Sequence, residues 1–278
     1  MAFIGASTPT FGTTSQTPNW PTGYTPTAGH YAIVVAGNGP NSGTTSPDFA
    51  TPSGWSLLGR NNNIIGWDGA AGDQVAFGRV LVGSDTLPLF TNPDGNHFVC
   101  TYTLVFSDID TTTPMDASPV LSSATSGAWQ PTGITTVTDG AFVVSLFFNP
   151  RWNHSPTASG YNANSFTNVV SATGTVSRGS QAASYIERVT AGAQTMPTWA
   201  SDNDTVCHIA LALRPISEDT PTYTEVEWNI GVQAPAAADE IYEFRVYDGE
   251  TPIDYDVTPQ LMIAGGVLVD TTKFFQFL

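Results

Sequence analysis

Residues 97–106 read HFVCTYTLVF, and this stretch decides the fold class. At the two-residue period of a strand, Phe98, Cys100, Tyr102, Leu104 and Phe106 share one face, and Val99, Thr101, Thr103 and Val105 share the other. The first face is aromatic and aliphatic and the second is β-branched with two valines, which predicts a strand covered on one side and partly on both. Four more runs have the same character: HYAIVVA (30–36), DQVAFGRVLV (73–82), GAFVVSLFF (140–148) and TVCHIALALRP (205–215). Each is bounded by Gly, Pro, Asn or Asp, the residues that turn a chain between strands. No window carries a sustained apolar period of 3.6 residues, so the chain reads as all-β.

The long connections NGPNSGTTSPDFATPSGW (38–55) and NPRWNHSPTASGYNANSF (149–166) fit loops at the ends of a sandwich. Uneven strand spacing with such loops favours a jelly-roll-like β-sandwich over residues 30–216. Residues 1–29, rich in Thr, Pro, Gly and Ser, are expected to be an N-terminal arm, either a lead-in or an anchor docked through Phe3, Phe11, Trp20 and Tyr24. At SEDTPT (217–222) the composition changes, and the last 62 residues hold half of the acidic groups. Alternation in 223–232 and in IYEFRVYD (241–248), with YDGETP (247–252) as a turn, predicts a small acidic Ig-like β-sandwich module over 217–278.

The formal charge of -16, with Lys273 as the one lysine, argues against nucleic acid and anionic membranes as partners. The first residues have neither the basic start nor the apolar stretch of a signal peptide or membrane anchor, so no membrane insertion is expected. Cys100 and Cys207 sit inside apolar runs and are expected to be buried thiols, with a disulfide as the lesser alternative.

Nucleophile elbows, H-E-x-x-H, Walker and Rossmann patterns do not occur, so no catalytic residue, metal ligand or cofactor is assigned and the chain reads as a non-enzyme. His30, His97, His154 and His208 are scattered, and packing accounts for them better than metal ligation. Asp108-Ile109-Asp110 and Asp202-Asn203-Asp204 lack the ligand spacing of a calcium loop and read as Asx turns. Trp55, Trp67, Trp129, Trp152 and Tyr161 lie in Gly/Asn-rich segments, where they either plug the sandwich ends or stack on sugar faces.

ATPSGWSLLGR (50–60), GDQVAFGRVLV (72–82) and LVFSDIDTTTPMDAS (104–118) resemble the jelly-roll domains of surface and fibre proteins of tailed bacteriophages. TEVEWNIGVQAPAAADEIYEFRVYDGETPIDYDVTP (224–259) resembles a short β module found near the C-termini of such proteins. The resemblance spans most of the chain and brings no catalytic residue with it. It implies a virion structural protein that folds in the host cytoplasm, keeps its thiols reduced and is displayed on the particle surface. Its expected role is host recognition as a tail-fibre or baseplate-associated protein. Capsid decoration, as a cement or head-fibre protein, is the alternative, and a carbohydrate-binding module or polysaccharide depolymerase is the second. The implied partners are other virion proteins (tail, baseplate or major capsid), a host cell-surface glycan, and copies of the same chain, with a trimer as the expected homo-oligomer.

Overall fold

A strand whose two faces are both apolar needs a cover on each side, and the fold supplies both. The computed structural model describes residues 2–41, 48–65, 71–92, 98–124, 128–150, 166–173, 179–200, 206–216, 247–248 and 251–252. By spatial proximity the chain divides into Met1–Thr220 and Pro221–Leu278. In the second unit the described residues form a hairpin, in which Tyr247 pairs with Pro252 and Asp248 with Thr251.

The first half of the large unit supplies β1 (Ala2–Ala6), β2 (Thr10–Gly12), β3 (Ser15–Gln16), β4 (Tyr31–Asn41), β5 (Ser56–Ile65), β6 (Ala71–Val80), β7 (Phe90–Thr91) and β8 (Phe98–Ser107). The second half supplies β9 (Met115–Ala124), β10 (Ala128–Trp129), β11 (Ile134–Thr136), β12 (Ala141–Asn149), β13 (Thr167–Thr173), β14 (Ser180–Arg188), β15 (Gly192–Gln194), β16 (Trp199–Ala200) and β17 (Val206–Leu213). One sheet has the order β1-β8-β4-β6-β5, with β2 also paired to β8, and the other has the order β13-β14-β12-β17-β9. Every pairing between neighbours is antiparallel.

All-β sandwich architecture is therefore what the chain adopts, with no helix among the described residues. The strand order differs from the expected jelly roll. That fold passes back and forth between its sheets, whereas here the chain completes one sheet before it begins the other. The separate arm expected over residues 1–29 is also absent as such: β1 and β2 lie along β8, and β3 pairs with β7. A strand at a sheet edge is held by backbone hydrogen bonds, so it can form in a Thr/Gly-rich stretch without an apolar period.

The central core lies between the sheets, where Ile33, Val35, Tyr102, Leu104 and Phe106 of the first meet Phe142, Val144, Leu146, Ile209 and Leu211 of the second. On the outer face of the first sheet, Val34, Val75, Phe77 and Val99 are roofed by Phe49, Trp55, Leu81 and Phe90. On the outer face of the second, Ile134, Phe166 and Met196 cover Val143, Ala210 and Ala212, and Trp199 covers Phe147 and Ala182.

The two sheets are topological copies. β4, β5, β6 and β8 take the same relative positions as β12, β13, β14 and β17, and β9 lies beside β17 as β1 and β2 lie beside β8. The short pairs β3–β7 and β10–β16 also correspond. Each leading strand has a one-residue irregularity at the same place: pairing steps from Phe3 to Gly5 on Phe106 and Val105, and from Met115 to Ala117 on Leu213 and Ala212. The sequences match where the matching elements turn, GSDTLPLF at 83–90 against GAQTMPTW at 192–199. Gly83 and Gly192 both adopt positive φ, 92° and 144°, a conformation open to glycine and strained for other residues. Arg79 reaches Asp85 at 2.8 Å, and Arg188 donates to the corresponding Gln194 at 2.9 Å.

At one end of the sandwich the halves hold each other in a crossed contact. Gln181 donates to Cys100 O at 3.2 Å and to its sulfur at 2.9 Å, and the Cys207 thiol donates to Gln74 Oε1 at 3.5 Å. Gln74 and Gln181 occupy equivalent places, opposite Gly37 and Phe148, as do Cys100 and Cys207. Gly37 is a necessity of this packing, because a Cβ there would lie 2.6 Å from the Phe148 ring. Gly37→Ala is expected to destabilise the fold by about 1–3 kcal/mol, as over-packing of a filled core does, and Phe148→Leu in the same chain should recover part of the loss. Urea unfolding of the two single variants and the double variant measures this.

Candidate functional site

Placement in the fold separates the aromatic residues nominated from sequence. Trp55 is buried in the roof over the first sheet. Trp67, Trp152 and Tyr161 lie outside the described residues. Trp129, on β10, is half-buried and stands edge-on to His208, with ring centroids 6.2 Å apart.

The four residues nominated as an anchor face inward. Phe3 packs on Phe106 and Tyr185 at centroid distances of 5.4 and 4.6 Å. Phe11 packs against Phe98, Cys100, Phe148 and Cys207. Trp20 and Tyr24 lie 5.7 Å apart against the roof of the first sheet, and the Tyr24 hydroxyl bonds His30 Nδ1 at 3.1 Å.

Asp110 has the Asx-turn role: its carboxylate accepts from Thr112 N, Thr113 N and Thr113 Oγ1 at 2.8–3.0 Å, and these bonds hold its carboxyl below the usual range. Asp202-Asn203-Asp204 lies outside the described residues, as do His97 and His154. No group of three His, Cys, Asp or Glu side chains able to hold a metal occurs among the described residues.

Both cysteines are free thiols, buried together between the sheets. Burial pushes the Cys100 thiol well up, and burial followed by the charge of Asp73 and the neighbouring Cys100 does the same to Cys207. The thiolate is the reactive form, so both side chains are inert in the folded protein. Ellman's reagent is expected to leave both untouched at neutral pH and to titrate both in denaturant; rapid labelling without denaturant would show that the sheets part locally.

A constellation that the sequence reading passed over lies on the outer face of the second sheet. Ser145 Oγ and His208 Nε2 share a hydrogen bond of 2.7 Å, with both residues fully buried. Ser184 stands opposite Ser145 in the β12–β14 register, and Ser122 opposite His208 in the β9–β17 register. Asn168, exposed on the edge strand β13, stands opposite Ser184. A polar row therefore crosses all five strands: Asn168, Ser184, Ser145, His208 and Ser122. It divides the apolar cover of this sheet into one cluster around Ile134 and Met196 and another around Phe147 and Trp199.

Three atoms of the row, His208 Nδ1, Ser184 Oγ and Ser122 Oγ, are buried without a hydrogen-bond partner among the described residues. Leaving such a group unsatisfied costs about 1–3 kcal/mol. The Ser145–His208 distance is that of a nucleophile–base pair, yet both side chains are fully buried, and His208 Nδ1 has no orienting carboxylate among the described residues. In this arrangement the pair is a hydrogen-bonding element of the sheet. The signal for it was present in the sequence, because Ser145 and His208 are polar residues inside runs that are otherwise apolar on both faces.

The fold and this row define the class: an internally duplicated all-β sandwich with a buried polar row across the outer face of its second sheet. No known protein family, curated protein or solved structure matches the chain.

Burial holds His208 neutral, with its pKa lowered from 6.5 to about 3. The unfolded chain therefore binds one more proton at this residue between those values, and stability is lost as pH falls through that window. This group alone contributes about 1.4 kcal/mol per pH unit well inside the window. Urea unfolding between pH 7 and pH 4 is expected to show His208→Gln losing stability less steeply than the parent, by close to one proton.

Proposed function

We propose that the protein is a non-enzymatic structural component displayed on the surface of a tailed-bacteriophage particle, with host recognition at a tail fibre or baseplate as its role. Support comes first from the architecture. The one close serine–histidine pair among the described residues, Ser145 with His208, and both thiols, Cys100 and Cys207, are buried, which favours a sandwich that presents shape and surface to its surroundings. The resemblance of 50–60, 72–82, 104–118 and 224–259 to virion surface proteins supplies the particle context. A charge of -16 would keep copies apart until assembly places them.

On this reading the N-terminal aromatic residues are built into the sandwich, so attachment to tail, baseplate or capsid proteins uses another surface. Self-association as a trimer belongs to the same proposal. Capsid decoration remains the alternative within the class; it predicts loss of shell stability with unchanged adsorption when the protein is removed.

Immunogold labelling of intact particles with an antibody against the purified chain, viewed by negative-stain electron microscopy, is the test. Label at the tail tip is the expected result. Label over the head would transfer the role to decoration, and particles without label would overturn the virion reading.

A further inference from the structure

Duplication supplies an internal control for the polar row on the second sheet. Counting from the paired positions Gln74 and Gln181, Ser184 corresponds to Phe77, and Ser145 to Val34. His208 corresponds to Thr101, and Ser122, opposite His208, to Thr10, opposite Thr101. In the first sheet Phe77 and Val34 belong to one continuous apolar cluster, and Thr10 and Thr101 satisfy each other through a 2.9 Å hydroxyl–hydroxyl bond. The second sheet has the same backbone plan and needs the same cover, yet it places serines at the two apolar positions and a histidine beside them. Phe77 and Val34 show that two of these positions can be filled with apolar side chains, so the framework does not require Ser184 and Ser145.

The row has the chemistry of a site for a neutral, hydrogen-bonding ligand. Its side chains are hydroxyls, an amide and an imidazole, which both donate and accept, and no carboxylate, lysine or arginine belongs to it. His208 Nδ1 and Ser184 Oγ are fully buried and lack partners among the described residues. Trp129 is the half-buried ring at its rim, in contact with His208, and Asn168 brings the row to the surface at the β13 edge. Hydroxyl and amide partners combined with an indole face are the usual means of holding a sugar.

We propose that this row, Asn168–Ser184–Ser145–His208 with Trp129 at its rim, is a binding subsite for a neutral sugar. Entry requires Trp129 to move aside, after which sugar hydroxyls take up the unpartnered atoms of Ser184 and His208. The inference stands apart from the particle reading, because it concerns a ligand of the isolated chain wherever that chain is displayed.

The test uses the full chain with labelled histidine, observing the His208 imidazole by NMR while glucose, galactose or N-acetylglucosamine is added to tens of millimolar, with glycerol as a control polyol. At least one sugar is expected to move the His208 signal saturably, with glycerol far weaker. Ser145→Val, taken from the equivalent Val34, should abolish the shift while the chain still unfolds cooperatively above room temperature. Trp129→Ala, at the half-buried rim, should weaken binding by about tenfold while the fold persists, the loss of one stacking contact. No shift with any of the three sugars, an equal response to glycerol, or an unchanged shift in the folded variants would overturn the proposal and leave bound water as the partner of these atoms.

Discussion

Each sheet of the sandwich is apolar on both faces, and the rest of the architecture follows from that constraint. The inner faces satisfy each other, as Ile33, Tyr102 and Phe106 do against Phe142, Leu146 and Leu211. Outer residues such as Phe77 and Phe147 would otherwise meet water, at a loss of about 1.5–3 kcal/mol for each large apolar side chain left uncovered. The segments between strands therefore act as further layers, with Trp55 and Phe90 over one sheet and Met196 and Trp199 over the other. This explains why a chain with so few charges and so many Gly, Pro and Thr residues can form a large core: its connections contribute to that core.

Strand chemistry was legible in the sequence because it is local. HFVCTYTLVF and GAFVVSLFF are apolar at both parities, and the structure buries both faces of β8 and β12. Topology was less legible, since spacing between strands does not say which sheet receives the next one. Residues 2–16 were hidden for a related reason: an edge strand draws its stability from backbone pairing, and a stretch such as ASTPTFGTTSQ has no apolar period to announce it. GSDTLPLF and GAQTMPTW are visible as a pair by eye, but equivalent strand positions differ as widely as Gly37 and Phe148, so the duplication emerges clearly only when pairing partners are compared.

The candidate site was legible in its parts but not in its assembly. His208 is readable as a polar residue in an apolar strand, and Ser145 likewise. Their meeting depends on β12 and β17 being neighbours in a register that places Phe147 opposite His208, so that Ser145 falls on the adjoining diagonal of the same face. Ser184 and Ser122 enter the row from strands on either side through their own registers. Side-chain rows across a sheet are long-range objects, and one sequence without its strand order does not define them.

Comparison of the halves separates framework from specialisation. Asn38 and Asn149, Gln74 and Gln181, and Cys100 and Cys207 are the same residue at equivalent positions in the strand registers. A residue present in both copies at the same structural place is accounted for by the shared plan. Phe77 against Ser184, Val34 against Ser145 and Thr101 against His208 are differences on a shared plan, and these three lie together on one outer face. In the outer-face row the second half leaves His208 Nδ1, Ser184 Oγ and Ser122 Oγ without partners among the described residues, each costing about 1–3 kcal/mol, where Thr10 and Thr101 of the first half bond each other at 2.9 Å. Serines at buried positions that the twin sheet fills with Phe77 and Val34 are not demanded by the shared plan, and that is what marks them for a separate role.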